Sequence, residues 1–141
     1  MLTPEITKFI DVFVSEIQGV KEIWLVGSRA NCTFKEESDW DFVVFLSGNQ
    51  KTFSQIQRRK DLRHEDVDLL IVYDGDKFEE PWPFFSKERY KPKSGSLKDW
   101  EWKIVSESEA RYTAIDGRLN EKYLELNEEA RGIKVWPVLC T

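Results

Sequence analysis

Apolar residues at Ile6, Phe9, Ile10, Phe13, Val14 and Ile17 recur three and four apart, which predicts a helix with one buried face. Its start is legible. Thr3 can cap, Pro4 suits the first helical position, Glu5 complements the helix N-terminus, and Gly19 is a natural stop. The pattern then changes. Residues 23–26 form an apolar run ending at Gly27-Ser28, and residues 39–46 form a second, closed by Ser47-Gly48-Asn49. Residues 67–73 form a third, closed by Asp74-Gly75. Each has strand length and turn residues at its end. Residues 52–63 carry Phe53 and Ile56 and read as a short helix between the second and third strands. The pattern weakens after that. Pro81-Trp82-Pro83 breaks any regular element, and residues 87–98 read as a long basic loop. Trp100, Trp102 and Ile104 alternate with charged residues, which predicts a strand with one buried face. Residues 119–131 read as a helix ending at Gly132, with a strand over 123–126 as the alternative, and 133–138 as a last short strand.

Strands alternating with helices suggest an α/β or α+β layer with a helix packed on one face, and the expected form is α+β, a mixed β-sheet with helices packed mainly on one face. A length of 141 residues fits one domain spanning 1–141, with the candidate chemistry in 20–75 and no role assigned to 76–141. Six Trp and nine Phe supply enough apolar area for a core despite 33% charged residues. The net charge of −5 argues against a protein that neutralises the phosphates of duplex nucleic acid. It leaves room for a small nucleotide pocket. Cys32 and Cys140 form no zinc-type pair and read as two free thiols of a cytoplasmic protein. The N-terminus lacks the pattern of a signal peptide, and no stretch approaches the ~20 apolar residues of a membrane span.

The candidate chemistry lies in Val26-Gly27-Ser28-Arg29-Ala30 and, beyond a short connection, Asp39-Trp40-Asp41. A strand that ends in Gly-Ser and turns into a helix offers backbone N–H groups and a hydroxyl, and the glycine lets a phosphate approach. Arg29 is either a further phosphate contact or an ordinary exposed arginine. Aspartates two apart on a strand project from one face, so Asp39 and Asp41 can reach one cation. Oxygen-only ligands suit Mg²⁺ or Mn²⁺. Asp68 sits inside the apolar run of residues 67–72, where a charge is costly unless it is paired or bound to a metal. A place beside the Asp39/Asp41 strand would explain it, and it could share the metal or act as a general base.

Residues 27–45, GSRANCTFKEESDWDFVVF, resemble the signature of the DNA polymerase β-like nucleotidyltransferase superfamily, with the closest look to its small minimal and antibiotic-modifying members. The shared features are a Gly-Ser pair after a strand, an Asp-x-Asp pair introduced by Ser38, and a third acid, Asp68, on a later strand. The resemblance covers about a third of the chain. It implies that Gly27 and Ser28 hold a triphosphate, that Asp39 and Asp41 bind Mg²⁺, and that Asp68 completes the metal site or acts as base. The implied reaction moves a nucleoside monophosphate from an NTP, with ATP the first choice, to a hydroxyl of an unidentified acceptor. Two positions depart from the pattern. Asn31-Cys32 stands where small members often have Arg-Gly, and Trp40 replaces a small aliphatic residue.

The bland readings are ordinary. Gly-Ser pairs are usually turns, and alternating acids usually mark a solvated strand face. Their joint occurrence with Asp68 favours the site. His64 and the cluster Arg58, Arg59, Lys60 and Arg63 read as solvated positions, Lys87, Arg89, Lys91 and Lys93 as a mobile loop, and Trp100 and Trp102 as core. Two rival functions stand beside the transferase. One is a nucleotidyltransferase-like antitoxin or regulatory module that needs a protein partner, which an exposed apolar patch in the second half would favour. The other is a degenerate domain that binds nucleotide without turnover.

Overall fold

A computed structural model describes residues 2–32, 36, 38–82, 93–113 and 130–138. Helix α1 spans Pro4–Glu16, with the Thr3 hydroxyl accepting the Ile6 N–H at 3.3 Å as cap. Strand β1 is Val20–Val26, followed by a single helical turn α2, Gly27–Ala30. Strand β2 is Trp40–Leu46, helix α3 is Gln50–Gln57, and a 3-10 turn covers Lys60–Leu62. Strands β3 (Val67–Tyr73), β4 (Lys77–Glu79), β5 (Ser94–Ser96), β6 (Lys103–Ile104), β7 (Glu109–Tyr112) and β8 (Ala130–Trp136) follow among the described residues.

The eight strands among the described residues join one sheet in the order β5-β4-β3-β2-β1-β8-β7-β6. It is mixed: β2 and β3 are parallel neighbours, and every other pairing is antiparallel. The parallel pair needs a crossover, and α3 with the 3-10 turn supplies it. The fold is therefore α+β with a mixed sheet, the expected form of the two that the alternation of elements allows.

Side-chain alternation divides the strands between two cores. Trp40, Phe42 and Val44 of β2 and Val67, Leu69 and Ile71 of β3 face α1 and α3, packing on Ile6, Ile10, Phe13, Phe53 and Ile56. The alternate residues, Val43 of β2 and Leu70 and Val72 of β3, face a second core with Trp24, Phe78, Trp100 and Tyr112. One face thus carries α1 and α3, and aromatic side chains of the C-terminal half cover the other.

The second half departs from its sequence reading. Trp100 and Trp102 lie in a turn rather than on a strand, with Glu101 between them at φ 53. Both indoles still pack inward because they stack on Tyr112 at 5.3 and 5.7 Å, whereas Ile104 on β6 is exposed. Alternation arises here from a tight turn, which period alone does not distinguish from a strand. Ala130, Arg131 and Gly132 open β8 instead of closing a helix, because the antiparallel ladder to β7 extends to Ala130. The rest of that expected helix, residues 119–129, lies outside the described residues, as do Lys87, Arg89, Lys91 and Cys140. Ser94–Ser96 pairs with β4 where a loop is expected. Strands β4 and β7, too short to show a period, have no counterpart in the sequence reading.

Candidate active site

The two aspartate-bearing strands are neighbours, and their register sets Asp41 directly opposite Asp68. Both side chains leave the sheet on the second-core face, since Trp40 and Phe42, like Val67 and Leu69, point the other way. The Trp40 N–H donates to the Asp66 carbonyl at 2.8 Å and continues the ladder to the mouth of the pair. Asp39 lies just before β2, two residues from Asp41, and is exposed.

The electrostatics follow from this convergence. Burial, and then the charge of Asp68, push the Asp41 carboxyl up to about 7, with Asp39 adding to the effect and Lys93 opposing it. Burial also raises Asp68, with Asp39 and Glu80 as further negative neighbours and Lys93 again opposing. The contact between the two carboxyls is a further, smaller contribution to the rise of Asp41. Two facing carboxyls in a partly buried setting, with a third nearby, form a hard-oxygen donor set with negative charge to be neutralised. That fits a divalent cation such as Mg²⁺. The three aspartates are not drawn together as tightly as ligands around an ion. Among the described residues, the ligand atoms within 4.8 Å of one another are those of Glu5, His64 and Asp66. That cluster is a surface network: His64 Nδ1 accepts the Asp66 N–H at 3.0 Å, and Nε2 meets Glu5 Oε1 at 2.8 Å.

Gly27 stands at the end of β1, against the same pair. Its φ is +74°, and a Cβ added there would collide with Oδ2 of Asp41. Only glycine permits both the left-handed backbone and the close approach of that carboxylate. The Gly27 N–H donates to the Tyr112 hydroxyl at 3.1 Å in a buried hydrogen bond. Of the two expected backbone donors, this one already has a protein partner. Ser28 follows, half-buried, in the first turn of α2.

Arg29 has a structural engagement. Nη2 donates to the carbonyls of Glu36 and Ser38, each at 3.0 Å, and Nε donates to Ser38 at 3.3 Å. The guanidinium also lies over the Trp40 ring, 4.3 Å from its centre. It holds the connection that delivers Asp39. Both departures from the family pattern thereby acquire physical reasons. Trp40 is large because it fills the helix-side core and carries Arg29. Asn31 bonds across to β8: Nδ2 donates to the Gly27 and Arg131 carbonyls at 2.8 and 3.2 Å, and Oδ1 accepts the Arg131 N–H at 2.8 Å.

Two residues near the site, Glu80 and Tyr112, escape the sequence reading. Glu80 is a buried carboxylate, 8% exposed, which bonds to Lys93 twice. Its N–H donates to the Lys93 carbonyl and its Oε1 accepts the Lys93 N–H, both at 3.0 Å. This clasp fixes the backbone of Lys93 near the aspartates. An acid between Phe78 and Pro81-Trp82 is a signal that could have found Glu80. Nothing local marks Tyr112, whose contact to Gly27 spans 85 positions.

Residues 6–65 match the family described as nucleotidyltransferase domain. The match takes in α1, the Gly27-Ser28 turn, Asp39 and Asp41 and stops just short of Asp68. No curated protein and no solved structure matches the chain. Among the described residues no helix is long and apolar enough to cross a membrane.

Proposed function

We propose that this chain, whose residues 6–65 belong to the polymerase β-like nucleotidyltransferase superfamily, moves a nucleoside monophosphate from an NTP to an acceptor hydroxyl. The observation that carries the reading is the pairing of Asp41 with Asp68 on parallel neighbours, with the Gly27 backbone against the Asp41 carboxylate. The acceptor oxygen bonds to the α-phosphorus while the bond from that phosphorus to the β-bridging oxygen breaks, and pyrophosphate leaves. Asp39 and Asp41 would hold Mg²⁺ or Mn²⁺, with Asp68 as third ligand or as the base that takes the hydroxyl proton. The bound cation would neutralise charge on the triphosphate and on the departing pyrophosphate. Ser28 holds the triphosphate through its hydroxyl and backbone. Gly27 contributes the space that a side chain would fill. Arg29, proposed from sequence as a phosphate contact, serves in this reading by holding the Asp39 connection. The donor is ATP and the setting is the cytoplasm.

The test is incubation with Mg²⁺ and ATP labelled at its α-phosphate, against small-molecule, protein and tRNA acceptors. Labelled acceptor with stoichiometric pyrophosphate is expected. Binding of ATP without release of pyrophosphate in any arm would leave a nucleotide-binding domain in place of an enzyme.

A second reading, a module that docks a protein partner, draws on Ile104 and Val105. They are 57% and 53% exposed beside the short edge strand β6. Replacing both with Thr should leave label transfer to small acceptors unchanged if catalysis is the function of the isolated chain.

A further inference from the structure

The Gly27 backbone is held on one side by a group 85 positions away and on the other by its near neighbour Asn31. Its N–H donates to Tyr112 on β7, and its carbonyl accepts Asn31 Nδ2 at 2.8 Å and the Asn31 N–H at 3.2 Å. The Asn31 carboxamide also pairs with the backbone of Arg131 through both its nitrogen and its oxygen. The backbone pairing of β1 with β8 reaches Leu25 opposite Ile133, and β1 then turns away into α2. At Arg131, two residues beyond, the carboxamide stands in for the missing strand partner, offering one donor and one acceptor as a peptide group would. Tyr112 has equally little freedom. It is 1% exposed, and its ring is stacked between Trp100 and Trp102 at interplanar angles of 22° and 28°. The hydroxyl therefore meets Gly27 from a fixed direction.

We infer that Asn31 and Tyr112 are positioning residues that lock the Gly27-Ser28 turn to β8 and β7, and that they set the affinity of the turn for the triphosphate. The inference rests on the reading of that turn as the triphosphate site. The buried bond to Tyr112 fixes the peptide group before Gly27 and the part-buried bond from Asn31 fixes the one after it, and so where Ser28 presents its hydroxyl and N–H. Loss of either bond leaves the aspartates in place and lets the turn sample other orientations, which reduces the fraction able to bind. The C-terminal strands thus act on the site through backbone geometry, without touching substrate.

The experiment uses the full chain and the variants Tyr112→Phe, which keeps the ring stack, and Asn31→Ala. Two readouts are taken: amide hydrogen exchange at Gly27, and KM and kcat with Mg²⁺ and ATP. Exchange at Gly27 should quicken at least about tenfold in Tyr112→Phe, because its buried acceptor is gone. KM for ATP should rise about tenfold in either variant while kcat stays within about twofold, the signature of lost ground-state and transition-state binding in equal measure. Melting curves identify variants that fail to fold, and the Phe variant guards against that outcome. Unchanged KM in folded variants would overturn the inference, as would a fall in kcat alone. If the unaltered chain binds no ATP, the transferase reading fails, and exchange alone decides the lock. A Gly27 amide that exchanges equally fast with and without the Tyr112 hydroxyl would then overturn it.

Discussion

Asp41 lies directly opposite Asp68 across the parallel pairing of β2 with β3, and burial, then the charge of its partner, push the Asp41 carboxyl up to about 7. The arrangement has a definite consequence for stability. The folded-state pKa of Asp41 lies above its ordinary value of 3.8, so the unfolded chain releases this proton first. The contribution of Asp41 to stability should therefore be greatest below about pH 4, fall as pH rises toward 7, and level off above it. The size of this contribution is on the order of 4 kcal/mol at most.

Asp41→Asn removes the ionisation and should remove the loss. Without divalent cations, the variant should melt several degrees above the unaltered protein at pH 8 and level with it at pH 4. Mg²⁺ with ATP should raise the melting temperature of the unaltered protein at pH 8 and leave the variant nearly unmoved. Scanning calorimetry across this pH range checks both statements. A variant that is less stable at pH 8 would make Asp41 a structural residue.

Lys93 opposes the raised pKa of both carboxyls, and its backbone is clasped to Glu80. Lys93→Met should accordingly move the titration of Asp41 above about 7, because a positive neighbour is lost. Carbon-detected NMR of the aspartate carboxyls reads the midpoint directly. A midpoint that stays put or falls would show that the ammonium does not act on the pair.

The aspartates and the Gly-Ser turn were legible in the sequence because each depends on local geometry. Residues two apart on a strand share a face, and an acid within an apolar strand needs a partner. Asp68 could be placed beside the Asp39/Asp41 strand on that ground, whereas its register opposite Asp41 was not legible. Glu80 and Lys93 meet through a short strand pair, β4 with β5, with too few residues to show a period. Tyr112 and Arg131 reach the turn only because β7 and β8 add to the far edge of β1, an outcome of sheet order that spacing along the chain does not encode. Trp100 and Trp102 were read correctly as core and wrongly as strand, since a turn that buries alternate residues copies the strand period.

Arg29 offers a choice between two roles that kinetics can separate. If it holds the Asp39 connection, Arg29→Lys should lower kcat about tenfold with little change in KM for ATP. Lysine cannot reproduce the forked donation to the carbonyls of Glu36 and Ser38. Stability should change by about 1 kcal/mol or less, the scale of a partly exposed cation–π contact. A raised KM with kcat intact would assign the guanidinium to phosphate binding instead.

Gly27 and Asp41 provide the most direct test of the site geometry. Gly27→Ala carries two separable costs. The left-handed backbone at φ +74° disfavours any L side chain by about 1–2 kcal/mol, and the new methyl would occupy space held by the Asp41 carboxylate. The first cost is independent of residue 41 and the second is not. Measured by urea unfolding at fixed pH, Gly27→Ala should therefore be markedly less destabilising in an Asp41→Ala background than alone. The shorter side chain removes the colliding oxygen and leaves only its Cβ, at an ordinary van der Waals separation once the turn relaxes slightly. The coupling between the two substitutions should reach about 1 kcal/mol or more, well above the few tenths expected of independent sites. Additive costs would mean that the carboxylate does not rest against the Gly27 backbone in solution, and the site would lose the close approach on which its nucleotide-binding reading depends.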